Sequence, residues 1–67
     1  MILINGESSR LEAGETVAGA LASLGIQGDA PGVAVAVDGE VVRRADWETF
    51  EIPDGARVEV LTAMQGG

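Results

Sequence analysis

A chain of 67 residues with 46% hydrophobic content makes one small domain with a core, and it is too apolar to remain disordered. It has no cysteine and no histidine, which excludes disulfides, thiolate metal sites and Cys–His or Ser–His nucleophile pairs. Eleven acidic residues against four arginines give a formal net charge of −7, which argues against nucleic acid as a partner and favours basic protein surfaces.

Met1-Ile2-Leu3-Ile4 opens the chain as an apolar run, with no basic region or cleavage site before it. The expectation is no signal peptide, no membrane span and a cytoplasmic location. Asn5-Gly6 follows, and both residues tolerate the positive φ of a type I′ turn. The spacing predicts a hairpin with strands over 1–5 and 7–12, the second one polar enough for a sheet edge.

Val17, Ala20, Leu21 and Leu24 recur at i, i+3, i+4 and i+7, which predicts one buried face of a helix over 16–25. Thr16 is the expected N-cap and Gly25 the left-handed residue after the end. The opposite face, Ala18, Gly19, Ala22 and Ser23, is small rather than charged. Gly19 costs about 1 kcal/mol relative to alanine, so tertiary packing must hold this helix.

Residues 26–32 read as a loop, broken by Gly28, Pro31 and Gly32. Val33-Ala34-Val35-Ala36-Val37 reads as a strand with its valines toward the helix and Ala34 and Ala36 on the other side. Asp38-Gly39 makes a second tight turn into Glu40-Val41-Val42. One helical turn is expected over 45–48, with Trp47 plugging the edge of the core. Phe50 and Ile52 alternate, and Pro53-Asp54-Gly55 is a turn in which proline sets φ and glycine takes a positive φ. The last strand, 57–62, sends Val58 and Val60 one way and Arg57, Glu59 and Leu61 the other.

This order predicts an α+β domain of the β-grasp, ubiquitin-like class. Its mixed sheet of four to five strands carries one helix on one face, over residues 1–61. A free tail over 62–67 ends in Gly66-Gly67. Nothing in the chain is left to cover the second sheet face, which must be solvated or bind a partner. The carboxylates are scattered and match no Ca²⁺-loop pattern, so no metal site and no enzyme activity are expected. The terminal carboxylate has an ordinary pKa of about 3.3–3.7 and is ionised at neutral pH. Glycines without a Cβ enter channels closed to other residues. A tail from Thr62 to Gly67 reaches roughly 20 Å when extended.

The motifs Ile4-Asn5-Gly6, Gly14-Glu15-Thr16-Val17, Val35 to Val42, Trp47, Asp54-Gly55, Val58-Glu59-Val60 and Gln65-Gly66-Gly67 resemble, in order and spacing, the ubiquitin-like sulfur carriers of cofactor biosynthesis. The thiamine-pathway branch is the most similar. That family often has asparagine where this chain has Asp38, and either residue tolerates the turn. The resemblance implies that Gly67 is the site of covalent adenylate and thiocarboxylate attachment. It implies that Gly66 and Gln65 give the tail access to enclosed partner sites. Implied partners are a ThiF-like adenylating enzyme using ATP and Mg²⁺, a sulfur donor protein and a ThiG-like thiazole synthase. Leu61 and Met64 are expected as apolar docking contacts near the tail root, with Ala34 and Ala36 as a flat surface beside them. A molybdopterin-synthase-type carrier, a ubiquitin-like protein modifier and a non-covalent binding module remain open as alternatives.

Overall fold

The structure, a computed structural model, describes residues 1–63. Its elements in chain order are β1 (Leu3–Ile4), β2 (Glu7–Ser8), α1 (Val17–Ser23), β3 (Val33–Val37), β4 (Glu40–Val42), a 3-10 turn at Arg44–Asp46, and β5 (Arg57–Thr62). The strands form one mixed sheet in the order β2-β1-β5-β3-β4, with β1 and β5 parallel and the other pairs antiparallel. The helix packs on one face, where Val17, Ala20 and Leu21 meet Val35, Val37, Val58 and Val60. Ile2, Trp47 and Ile52 close the same core from its edges.

Both two-residue hairpin turns form as expected, with φ of 51° at Asn5, 83° at Gly6, 51° at Asp38 and 84° at Gly39. The first hairpin is shorter than the apolar pattern suggests. Its strands hold two residues each rather than 1–5 and 7–12. The Ser9 amide and hydroxyl both donate to the Ile2 carbonyl, at 3.1 and 2.6 Å. Beyond that point the chain turns inward, and Leu11 packs partly buried against the core instead of continuing a polar edge.

The helix is also shorter than 16–25. Thr16 caps it, its hydroxyl accepting from the Gly19 amide at 3.0 Å. The two other leading amides are satisfied across the chain, Val17 donating to Phe50 and Ala18 to Trp47. At the far end the Gly25 amide donates to Ala22 and the Ile26 amide to Leu21, with Gly25 at φ 80°. This is a Schellman motif. It corrects the expected buried face: Leu24 is 46% exposed, and Ile26 returns to the core in its place.

The expected turn at 45–48 sits one residue earlier, and Trp47 follows it fully packed, its indole N–H donating to the Val42 carbonyl at 3.0 Å. The Arg44 guanidinium stacks over that ring, 4.4 Å from its centroid. It also donates to the Gly28 and Ala30 carbonyls at 2.5 and 2.7 Å. Ile52 is fully buried and Phe50 partly so, matching their alternation. Thr62, where the expected tail begins, pairs with Val33 as the last residue of β5.

Candidate functional site

The side of the sheet away from the helix is built by strand alternation. Because Val35 and Val37 enter the core, Ala34 and Ala36 face outward from β3. Because Val58 and Val60 enter it, Arg57, Glu59 and Leu61 face outward from β5. Register then decides which of them meet. Ala34 lies opposite Leu61, and Ala36 lies between Glu59 on β5 and Val41 on β4.

Two large apolar side chains thus flank a floor of alanines. Val41 is 74% exposed and Leu61 69%. Together with Ala34, Ala36 and Glu59 they line one shallow depression. It is apolar apart from one carboxylate rim. These exposed aliphatic groups are contiguous and carried on the sheet.

Three of the expected docking residues, Leu61, Ala34 and Ala36, are brought together here. Met64, Gln65, Gly66 and Gly67 lie outside the described residues. Val41 belongs to the same patch and was missed by the sequence reading. The signal was present: Val42 must oppose inward-facing Val35, so its neighbour Val41 must point out. Arg57 and Glu59 share this face, yet no ion pair joins them among the described residues.

Chemistry in the described part is sparse. No three His, Cys, Asp or Glu side chains cluster as a metal site requires among the described residues. The Asp54 carboxyl is held below its ordinary range, first by the hydrogen bond it accepts from the Met1 ammonium at 2.7 Å and then by that ammonium's charge. This pair is exposed, in the turn before β5. A larger groove, lined by Ile4, Ser8, Leu11 and Leu24, runs between the first hairpin and the end of the helix. It is carried on β1 and β2, whereas the patch is carried on β5, β3 and β4. Among the described residues no helix is long and apolar enough to cross a membrane.

The patch adjoins the last residues of β5. A family model, that of the ThiS family, matches residues 2–67. The chain belongs to the ThiS family. The fold agrees with two solved structures from Geobacter metallireducens. One is a crystal structure of a thiamine biosynthesis protein (ThiS), at 29% identity and a TM-score of 0.75, with 98% of this chain and 97% of that one covered. The other is a solution NMR structure of a thiamine biosynthesis protein, at 32% identity and the same TM-score, with 98% and 86% covered. The five-stranded mixed sheet with one helix is therefore the β-grasp of this ThiS-family chain. No curated protein matches it by sequence.

Proposed function

We propose that this chain is a sulfur carrier of thiamine biosynthesis, and that its Gly67 carboxylate is the group its partners act upon. One observation carries the reading: the ThiS-family match extends through both terminal glycines. The apolar patch on the open sheet face, ending at the root of that same segment, supports it.

A carboxylate resists attack by sulfur because oxide is a poor leaving group. Activation supplies a better one. A carboxylate oxygen of Gly67 attacks the α-phosphorus of ATP on an adenylating partner, a P–O bond forms, and pyrophosphate leaves with its Mg²⁺. The product is an acyl-adenylate. A persulfide on a donor protein then attacks the carbonyl carbon, forming a C–S bond as AMP departs. A second thiol of the donor cleaves the S–S bond and is oxidised to a disulfide, leaving a thiocarboxylate on Gly67. Thiazole synthase takes that sulfur, and the carboxylate is restored.

Throughout these steps the chain is a substrate rather than a catalyst. Its share of the mechanism is docking and delivery. An acyl-adenylate hydrolyses where water reaches it, so the partner site must be enclosed. Gly66 and Gly67 suit a narrow entrance because neither has a Cβ. Ala34, Ala36, Val41 and Leu61 then seat the folded part outside.

Two measurements test this reading. Purified activating enzyme and ATP are expected to release pyrophosphate only when the chain is present, and the variant lacking Gly67 is expected to release none. Deleting the gene is expected to create a requirement for thiazole. Loss of molybdoenzyme activity instead, with no thiazole requirement, sinks the assignment to the thiamine pathway.

A further inference from the structure

Asn5 is the only asparagine in the chain, and a glycine follows it. That pair is chemically fragile. The backbone nitrogen after an asparagine attacks the side-chain amide carbon when the two meet, and glycine puts no Cβ in the way. Both residues are exposed at the tip of the first hairpin. Gly6 lies beyond the β1–β2 ladder, whose last pair is Ile4 with Glu7. Among the described residues, a Cβ on Gly6 would meet no atom within 4 Å, so this side of the turn is open to water.

The folded hairpin holds the carbon under attack elsewhere. Asn5 Oδ1 accepts from the Val60 amide at 2.9 Å, and Nδ2 donates to the Val60 carbonyl at 3.2 Å. The side-chain amide is thus paired with a peptide group on β5. To meet the Gly6 nitrogen it must leave both bonds. The second hairpin turn supplies a comparison within the same fold. Asp38 and Gly39 hold φ of 51° and 84°, against 51° and 83° at Asn5 and Gly6. Among the described residues the Asp38 side chain makes one such bond, accepting from the Arg57 amide at 2.9 Å.

We infer that Asn5-Gly6 is a site of spontaneous deamidation, and that the Val60 peptide group gates it. The co-reactants are hydroxide and water. Hydroxide takes the Gly6 amide proton, and the nitrogen attacks Asn5 Cγ. A C–N bond forms, the Cγ–Nδ2 bond breaks, and Nδ2 leaves as ammonia with a proton from water. Water then opens the five-membered imide at one of its two carbonyls. One opening leaves an aspartate at position 5 and the other an isoaspartate. Neither product restores the gate. The new carboxylate has no proton to give the Val60 carbonyl. The isoaspartate also adds a methylene to the main chain, in a turn whose length fixes the hairpin. The modification is therefore one-way. This chemistry is independent of the carrier reading.

The test follows the full chain and its Asp38→Asn variant in mildly alkaline buffer, both folded and in urea above the unfolding transition. Fragment masses locate each replacement of NH by O. The variant sets two Asn-Gly turns of matching φ in one fold, one held by both Val60 bonds and one by the single bond from Arg57. Each hydrogen bond that must break slows the reaction about fivefold, and two slow it about thirtyfold. Asn5 in the folded wild-type chain is expected to deamidate at least about thirtyfold more slowly than in urea. In the folded variant the asparagine at position 38 is expected to react about fivefold faster than Asn5, and in urea the two are expected to react alike. Equal rates at the two positions of the folded variant would overturn the gate. So would a folded wild-type chain that deamidates as fast as it does in urea, a comparison that needs no variant. A denatured chain that keeps Asn5 intact would overturn the site itself. None of these outcomes bears on pyrophosphate release, so the carrier reading stands or falls separately.

Discussion

The two turn residues Asn5 and Asp38 look equivalent in the sequence and are not. The Asn5 side chain imitates a peptide group. Its Oδ1 accepts from the Val60 amide at 2.9 Å and its Nδ2 donates to the Val60 carbonyl at 3.2 Å. It thereby adds one rung to the β1–β5 ladder where β1 has already ended. Asp38 only accepts, from the Arg57 amide at 2.9 Å. A carboxylate suffices there and fails at position 5, which needs a donor too. Asn5→Asp is therefore expected to cost about 1–2 kcal/mol and Asp38→Asn less than about 0.5 kcal/mol, both read by urea unfolding. Positive φ at both sites was legible in the sequence from Asn-Gly and Asp-Gly. Their cross-chain partners were not, because those depend on where β5 lies.

Asp54 carries a pH-linked effect at the same scale. Its lowered pKa means that its pairing with the Met1 ammonium contributes stability above the ordinary carboxylate range. That contribution is lost as pH falls through the lowered value. Replacing the ammonium with an amide, as an N-terminal extension does, is expected to return Asp54 upward to ordinary titration, followed by NMR of its side-chain carbonyl. An unchanged titration would remove the ammonium as the cause.

At the scale of elements, α1 has only seven residues, too few to persist without packing. Its ends and its face must hold it. Thr16→Ala is expected to cost about 1 kcal/mol by leaving the Gly19 amide unpaired. Leu21→Ala is expected to cost about 2–5 kcal/mol, because Leu21 is fully buried. Periodicity revealed this face through Val17, Ala20 and Leu21. It overran at Leu24, since a 3.6-residue repeat says nothing of a Schellman turn that substitutes Ile26. Short strands were overrun likewise: apolar content at Met1 to Ile4 reflects burial of Ile2, not strand length.

At the scale of the molecule, one sheet face is filled by the helix and the other carries Ala34, Ala36, Val41 and Leu61. Alternation made the alanines and Leu61 legible in advance, while Val41 needed the β3–β4 register. Leu61→Glu is expected to leave stability within about 0.5 kcal/mol, because Leu61 is largely exposed. The same change is expected to lower kcat/KM for pyrophosphate release about tenfold, as loss of an apolar docking contact does. With a formal charge of −7, association with a basic partner surface is expected to slow as salt is raised.

The central claim is that Gly67 carries sulfur, and intact-mass analysis of the chain from cells making their own thiamine tests it most directly. The expected result is a fraction in which one oxygen is replaced by sulfur, localised by fragmentation to the C-terminal residue and absent from the variant lacking Gly67. A chain found only as the carboxylate in cells that are actively forming thiazole would contradict it.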